Sequence, residues 1–186
     1  MDLPVPPRPD ALPSLPREAW PAHPNFPAQT LLLRSHEGFR SLSDQLLRDV
    51  PRAENLAQLG ALYRYWKLAM RGHEAYEEGK LYPYLERRWR CSLDELRAGH
   101  ETLAARHVEV LDAFAAIGFG GNPRPEDRER LVKALTAHHE VLLEHLRLEE
   151  DRVIPLLLEL TPDEFDDYYF NPITALLGAL DRDDGH

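Results

Sequence analysis

The feature that most restricts what this chain can become is a pattern that occurs twice. His73-Glu-Ala-Tyr-Glu77-Glu78-Gly-Lys-Leu-Tyr-Pro83 and His145-Leu-Arg-Leu-Glu149-Glu150-Asp-Arg-Val-Ile-Pro155 both read HxxxEExxxxP. A weaker pair, Arg34-Ser-His36-Glu37 and Ala98-Gly-His100-Glu101, precedes each of them. Residues i and i+4 stand on one helix face, a turn apart. His73 and Glu77 therefore point the same way, as do His145 and Glu149, and their apolar neighbours make that way inward. Leu32 and Leu96 lie one turn before His36 and His100, so these histidines also sit on apolar faces. The chain reads as two helical hairpins of one kind.

Around the repeat the helical pattern extends from residue 28 to about 160. Helices are expected over 28–49, over 56–90 with Pro83 kinking the second, and from the capping box Ser92-Leu-Asp-Glu95 to Ile117. The last begins at Pro125 and carries Pro155 inside it. Gly118, Gly120 and Gly121 close the third helix. Residues 1–27 hold nine of the sixteen prolines, which fix φ and remove donors, so they predict an extended arm pinned by Trp20 and Phe26. Thr161-Pro-Asp-Glu164 is a second capping box that opens a short helix, and Pro172 to Leu180 forms another. No segment reads as a strand. The expected fold is all-α: an antiparallel up-down-up-down four-helix bundle over 28–160, an extended Pro-rich N-terminal arm over 1–27, and short C-terminal helices over 161–186. A rise of about 1.5 Å per residue brings His36, His73, His100 and His145 to one layer.

Four imidazoles and two carboxylates in one buried layer make a transition-metal site. A carboxylate in an apolar core needs a cation or stays protonated. Six ligands suit two metals better than one tetrahedral ion, each metal taking two histidines and a share of bridging Glu77 and Glu149. Mixed nitrogen and oxygen ligation with open positions favours iron; manganese and zinc remain compatible with the same set. The order His before Glu disfavours the Glu-x-x-His sites of ferritin-type bundles. His107 and His138 should share a second layer with Ser43 and Trp66, about 10 Å from the first. They read either as a water-bonded polar pair or as a relay. Glu150 is a neighbouring carboxylate; it and Glu78 are expected at the rim, and His139 outward. Cys91 is a rim thiol.

These residues resemble the hemerythrin-like, or HHE, cation-binding domain over residues 28–160. The resemblance implies a four-helix bundle with a non-haem di-iron centre, two iron ions joined by an oxo or hydroxo bridge. It places His36, His73, Glu77, His100, His145 and Glu149 as ligands. It also implies binding of O2, NO or a related small ligand for sensing or stress response. A di-iron oxidase (ferroxidase or peroxide-consuming) and an iron storage or repair protein remain alternatives. Respiratory hemerythrins carry HxxxH on the third helix, where this chain has Ala104, so a seventh ligand is missing and more positions stay open. Sensing without an output domain requires a protein partner.

Composition trims the remaining classes. A net charge of −10 argues against nucleic acid, and Arg87-Arg88-Trp89-Arg90 reads as basic residues at a helix C-terminus. No window has the apolar length of a membrane helix. The single Cys91 leaves no intramolecular disulfide. Together these predict a cytoplasmic protein.

Overall fold

The computed structural model describes residues 11–117 and 123–169. The expected helix Pro172 to Leu180 and the terminating glycines lie outside them. All regular elements among the described residues are helical and none is a strand. A short 3-10 turn, Arg17–Ala22, precedes α1 (Leu32–Asp49), α2 (Leu56–Tyr76), α3 (Tyr82–Trp89), α4 (Asp94–Ile117) and α5 (Pro125–Leu158). Residues 162–169 are helical again.

Three local expectations changed. The arm is not extended throughout. Its 3-10 turn closes through His23 N–H to the Trp20 carbonyl, and Trp20 buries its indole among Leu81, Leu85 and Leu157. The expected helix 56–90 is interrupted by a π turn, Glu77–Leu81, in which the Tyr82 N–H donates to the Glu77 carbonyl five residues back. Pro83 offers no N–H and its ring would crowd the carbonyl of residue 79, so the wider turn relieves a conflict that an α-turn would keep. The Ser92 box does not close. Ser92 Oγ accepts from Asp94 N–H, while Glu95 pairs with Arg152 instead of turning back. The Thr161 box does close, with Thr161 N–H donating to Glu164 Oε2 at 2.9 Å and Glu164 N–H to Thr161 Oγ1 at 3.2 Å.

Along α2 and α4, Gly60 meets Phe114, Tyr63 meets His107, and downstream of α2 Glu78 meets His100. Along α4 and α5, His107 meets His138, His100 meets His145 and Glu95 meets Arg152. α1 meets α5 through Ser43 with His139 and His36 with Glu150.

The apolar interior falls into two clusters. One is built on Leu46, Tyr63, Trp66, Met70, Leu103, Val110, Leu131 and Leu142. The other holds Trp20, Leu81, Tyr82, Leu85, Trp89, Leu96, Val153 and Ile154. The buried histidines and glutamates of the repeat lie between them. On one side stand Phe39, Met70, Leu103 and Leu142, on the other Leu81, Leu96 and Val153, all buried. This packing shields most of the polar layer from water, while His73 keeps 14% of its side chain exposed.

Candidate metal centre

The i, i+4 rule places each pair as the repeat requires. His73 Nε2 lies 2.7 Å from Glu77 Oε1, and His145 Nε2 lies 3.7 Å from Glu149 Oε2. Packing of the helices brings in the lone histidines. His36 Nε2 stands 3.1 Å from His73 Nε2 and 3.4 Å from Glu149 Oε2. His100 Nε2 stands 3.4 Å from Glu77 Oε2. Two sets of candidate donors result, each with its atoms within 4.8 Å of one another: His36, His73, Glu77 and Glu149, and His100, His145 and Glu149. Glu149 belongs to both sets, and Glu77 turns one oxygen towards each.

The layer is not satisfied by hydrogen bonds. Both Glu77 oxygens, Glu149 Oε2 and His100 Nε2 are buried without a well-aligned hydrogen bond, although His73 Nε2 stands 2.7 Å from Glu77 Oε1. Glu77 and Glu149 are 0% exposed. Orphaned carboxylate oxygens at that depth cost several kcal/mol each, roughly, unless a cation meets them. The donors therefore fit metal ions of borderline hardness.

The protonation equilibria carry the same message. Burial by itself would raise the Glu77 carboxyl, but the facing imidazoles of His100, His36 and His73 hold it well below the usual range. Burial and the charge of Glu77 push Glu149 up. Burial opposes charge on His36 and His100, yet Glu149, Glu150 and Glu77 raise the first to about 10, and Glu77 and Glu78 raise the second to about 9. Burial and the positive charge of His100 lower His145 to about 4. Without cations the layer holds itself together only by sharing protons among its members.

A second ring of contacts orients the imidazoles, and the repeat crosses over in it. Glu150 accepts from His36 Nδ1 at 2.9 Å, and Glu78 accepts from His100 Nδ1 at 2.7 Å. The second glutamate of each EE pair thus serves the lone histidine of the other hairpin. Glu150 does not reach the rim as expected. It is 2% exposed, held at 2.7 Å by both Arg40 and Arg17, because those cations come from α1 and the arm to cover it. Burial opposes its charge, but His36, Arg40 and Arg17 hold its carboxyl down at about 2. Glu78 is exposed.

Sequence reasoning missed four participants. Tyr82, buried, donates to Glu149 Oε1 at 2.7 Å and stacks on His100. Arg40 lies one turn after His36, which was a readable signal; Arg17, in the arm, gave none. Gly99 lets His145 approach: a Cβ there would stand 2.3 Å from His145 Nδ1. Ala104 is exposed, so α4 supplies His100 alone at this level.

His107 and His138 form the second layer, with ring centroids 4.6 Å apart and Trp66 packed on both. Tyr63 Oη and His107 Nδ1 are 2.7 Å apart. Ser43 is not in this group: its hydroxyl bonds His139 Nδ1 at 3.0 Å, which draws His139 partly inward. The apolar turn of Phe39, Met70, Leu103 and Leu142 stands between the two layers, which argues against a relay. Arg88, from the basic stretch, pairs with Glu164 and covers the Trp89 ring.

Two helical hairpins with four histidines and two glutamates converging in one layer define a helical cation-binding domain. The chain belongs to the hemerythrin HHE cation-binding domain family, whose model matches residues 28–157. No curated protein and no solved structure matches it. No helix among the described residues is long and apolar enough to cross a membrane.

Proposed function

We propose that this chain is a non-haem di-iron protein that binds O2, NO or a related small ligand for sensing or stress response. Its frame is an antiparallel up-down-up-down four-helix bundle. The observation that carries the reading is Glu149, a buried carboxylate common to both donor sets. One shared carboxylate between two histidine pairs suits two ions better than one.

The roles of the residues follow from their contacts. His36 and His73 would hold one ion with Glu77 Oε1, and His100 and His145 the other with Glu77 Oε2. Glu149 would join them. Glu150 and Glu78 fix the rings of His36 and His100 from behind through Nδ1, which presents Nε2 to the centre. Tyr82 holds Glu149 Oε1 and leaves Oε2 facing the histidines. The flanking leucines and Phe39 keep water from most of the centre, and His73 stays partly open. Iron, when bound, supplies the redox chemistry towards O2 or NO.

Metal content by mass spectrometry, with optical spectra of the reduced protein before and after O2, tests this. About two irons per chain and new near-ultraviolet absorption are expected. His73→Ala or His145→Ala should each lose at least one metal per chain, while His107→Ala keeps both. Full retention in the first two variants would remove the ligand assignment. One observation favours a di-iron oxidase as the second reading: α4 contributes only His100, which leaves coordination positions open. Turnover of peroxide or Fe(II) would select it.

A further inference from the structure

A chamber of about 410 Å³ opens beside His73, bounded by Leu32, Leu81 and Leu157 on one side and by Phe165 and Tyr168 on the other. A water molecule's share of liquid volume is about 30 Å³, so a diatomic ligand needs only a small part of this space. The volume falls in the range of sites for organic ligands, roughly 300–1,000 Å³. Its outer wall comes from residues 162–169, beyond the match to the family at residue 157. The chamber is thus formed by the domain itself and closed on its outer side by the segment that follows it.

Among the described residues that line the mouth, Lys80 carries the permanent charge. Lys80 Nζ sits 4.9 Å from the Tyr168 ring and 5.5 Å from the Tyr76 ring. Its ammonium donates to the Tyr169 carbonyl at a long 3.4 Å. Burial lowers its pKa. The Tyr76 and Tyr168 hydroxyls lie 2.5 Å apart across the mouth, and only one of their two hydrogens can serve that bond. An ammonium and a phenol hydrogen thus stand at the rim of an apolar chamber.

We propose that this chamber binds a medium-chain organic monocarboxylate, its carboxylate on Lys80 and its apolar body against Leu32, Leu157 and Phe165. The bound molecule would lie beside His73, within reach of the centre proposed above. The binding itself does not depend on that centre.

The test is calorimetric titration of the whole chain with sodium octanoate, both as isolated and after chelation, with octan-1-ol as the uncharged control. One octanoate per chain is expected in both forms. Lys80→Gln should weaken octanoate by about tenfold or more and leave octan-1-ol unchanged, since only the charged contact is lost. Leu32→Trp, which fills the chamber, should weaken both probes. Circular dichroism of each variant checks that it folds. Nuclear Overhauser contacts from octanoate to Leu157 and Phe165 should place it. Absence of binding in both forms, or equal affinity of the wild type and Lys80→Gln, would overturn the proposal. Because the chelated protein is measured too, such a failure says nothing against the metal centre, and loss of metal says nothing against the chamber.

Discussion

The α1–α2 hairpin and the α4–α5 hairpin offer the same donors at the same spacing, yet their surroundings differ. His36, in the first, leans on Glu150, which is buried between two arginines. His100, in the second, leans on Glu78, which faces solvent with no arginine beside it. The first HxxxEExxxxP segment contains a π turn, whereas the second keeps its α-helix through Pro155. Ser35 of the first hairpin becomes Gly99 in the second, where His145 presses close. Seven residues from the ligands the first hairpin has Ser43 and Trp66, the second His107 and His138. A repeat settles which atoms converge. The dielectric and charge around them depend on everything packed outside it, so two ions held here would be inequivalent.

The largest test of that difference compares Glu150→Ala with Glu78→Ala. Losing Glu150 removes the carboxylate shared by Arg40, Arg17 and His36 Nδ1, leaving Arg17 with Asp151, and should cost about 2–3 kcal/mol, less than a fully buried pair because both arginines reach water. Losing exposed Glu78 should change stability by under about 0.5 kcal/mol. Denaturant midpoints of the metal-free variants check both, and equal losses would erase the distinction. Metal affinity should fall about 10–100-fold in each, since each orients a histidine.

Gly99→Ala is next. His145 must move to admit the methyl group, so metal affinity should drop by about tenfold or more, while Ser35→Ala at the equivalent place should have no effect. Competition with a chelator measures it. If Gly99→Ala binds metal normally, the close approach of His145 is unimportant.

Acid should then separate the second layers. Burial, with the charge of Lys67, lowers His107 to about 4, and burial, with His107 and His139, lowers His138 to about 3, both from 6.5. These folded-state values lie below the unfolded one, so the unfolded chain takes up protons first. The contribution is complete above about pH 6.5 and is lost as pH falls towards 4 and 3. At pH 5 it should have dropped by about 2 kcal/mol per histidine. Urea midpoints of metal-free wild type at pH 7 and 5 should differ more than those of His138→Gln; identical slopes would mean that these imidazoles are not buried neutral.

A smaller effect than that of Glu150→Ala is expected from Arg17→Ala. Its guanidinium is 38% exposed, so its pairs with Glu150 and Asp151 should contribute only about 0.5–1 kcal/mol. Thermal unfolding at low and high salt reads it, and a loss above that of Glu150→Ala would reverse the ranking.

The sequence by itself determined the helical class, the family and the donor types. The reason is that i, i+4 spacing is a local property: it aligns His73 with Glu77 and His145 with Glu149 before any helix meets another. It also gave the second layer of His107 and His138, since seven residues are close to two turns. What it could not decide was whatever depends on contacts between distant segments. Nothing in the proline-rich arm shows that Arg17 will reach Glu150 across 133 residues. Nothing in the doubled EE shows that Glu149 turns inward while Glu150 turns back to His36. The π turn comes from Pro83 only in the first segment, although Pro155 holds the same place in the second, so packing chose between them. Tyr82 reads as an ordinary core aromatic until the fold sets its hydroxyl on Glu149. Spacing along one helix is written in the chain; which side chain closes a charge, and from which helix, is decided only when the helices pack.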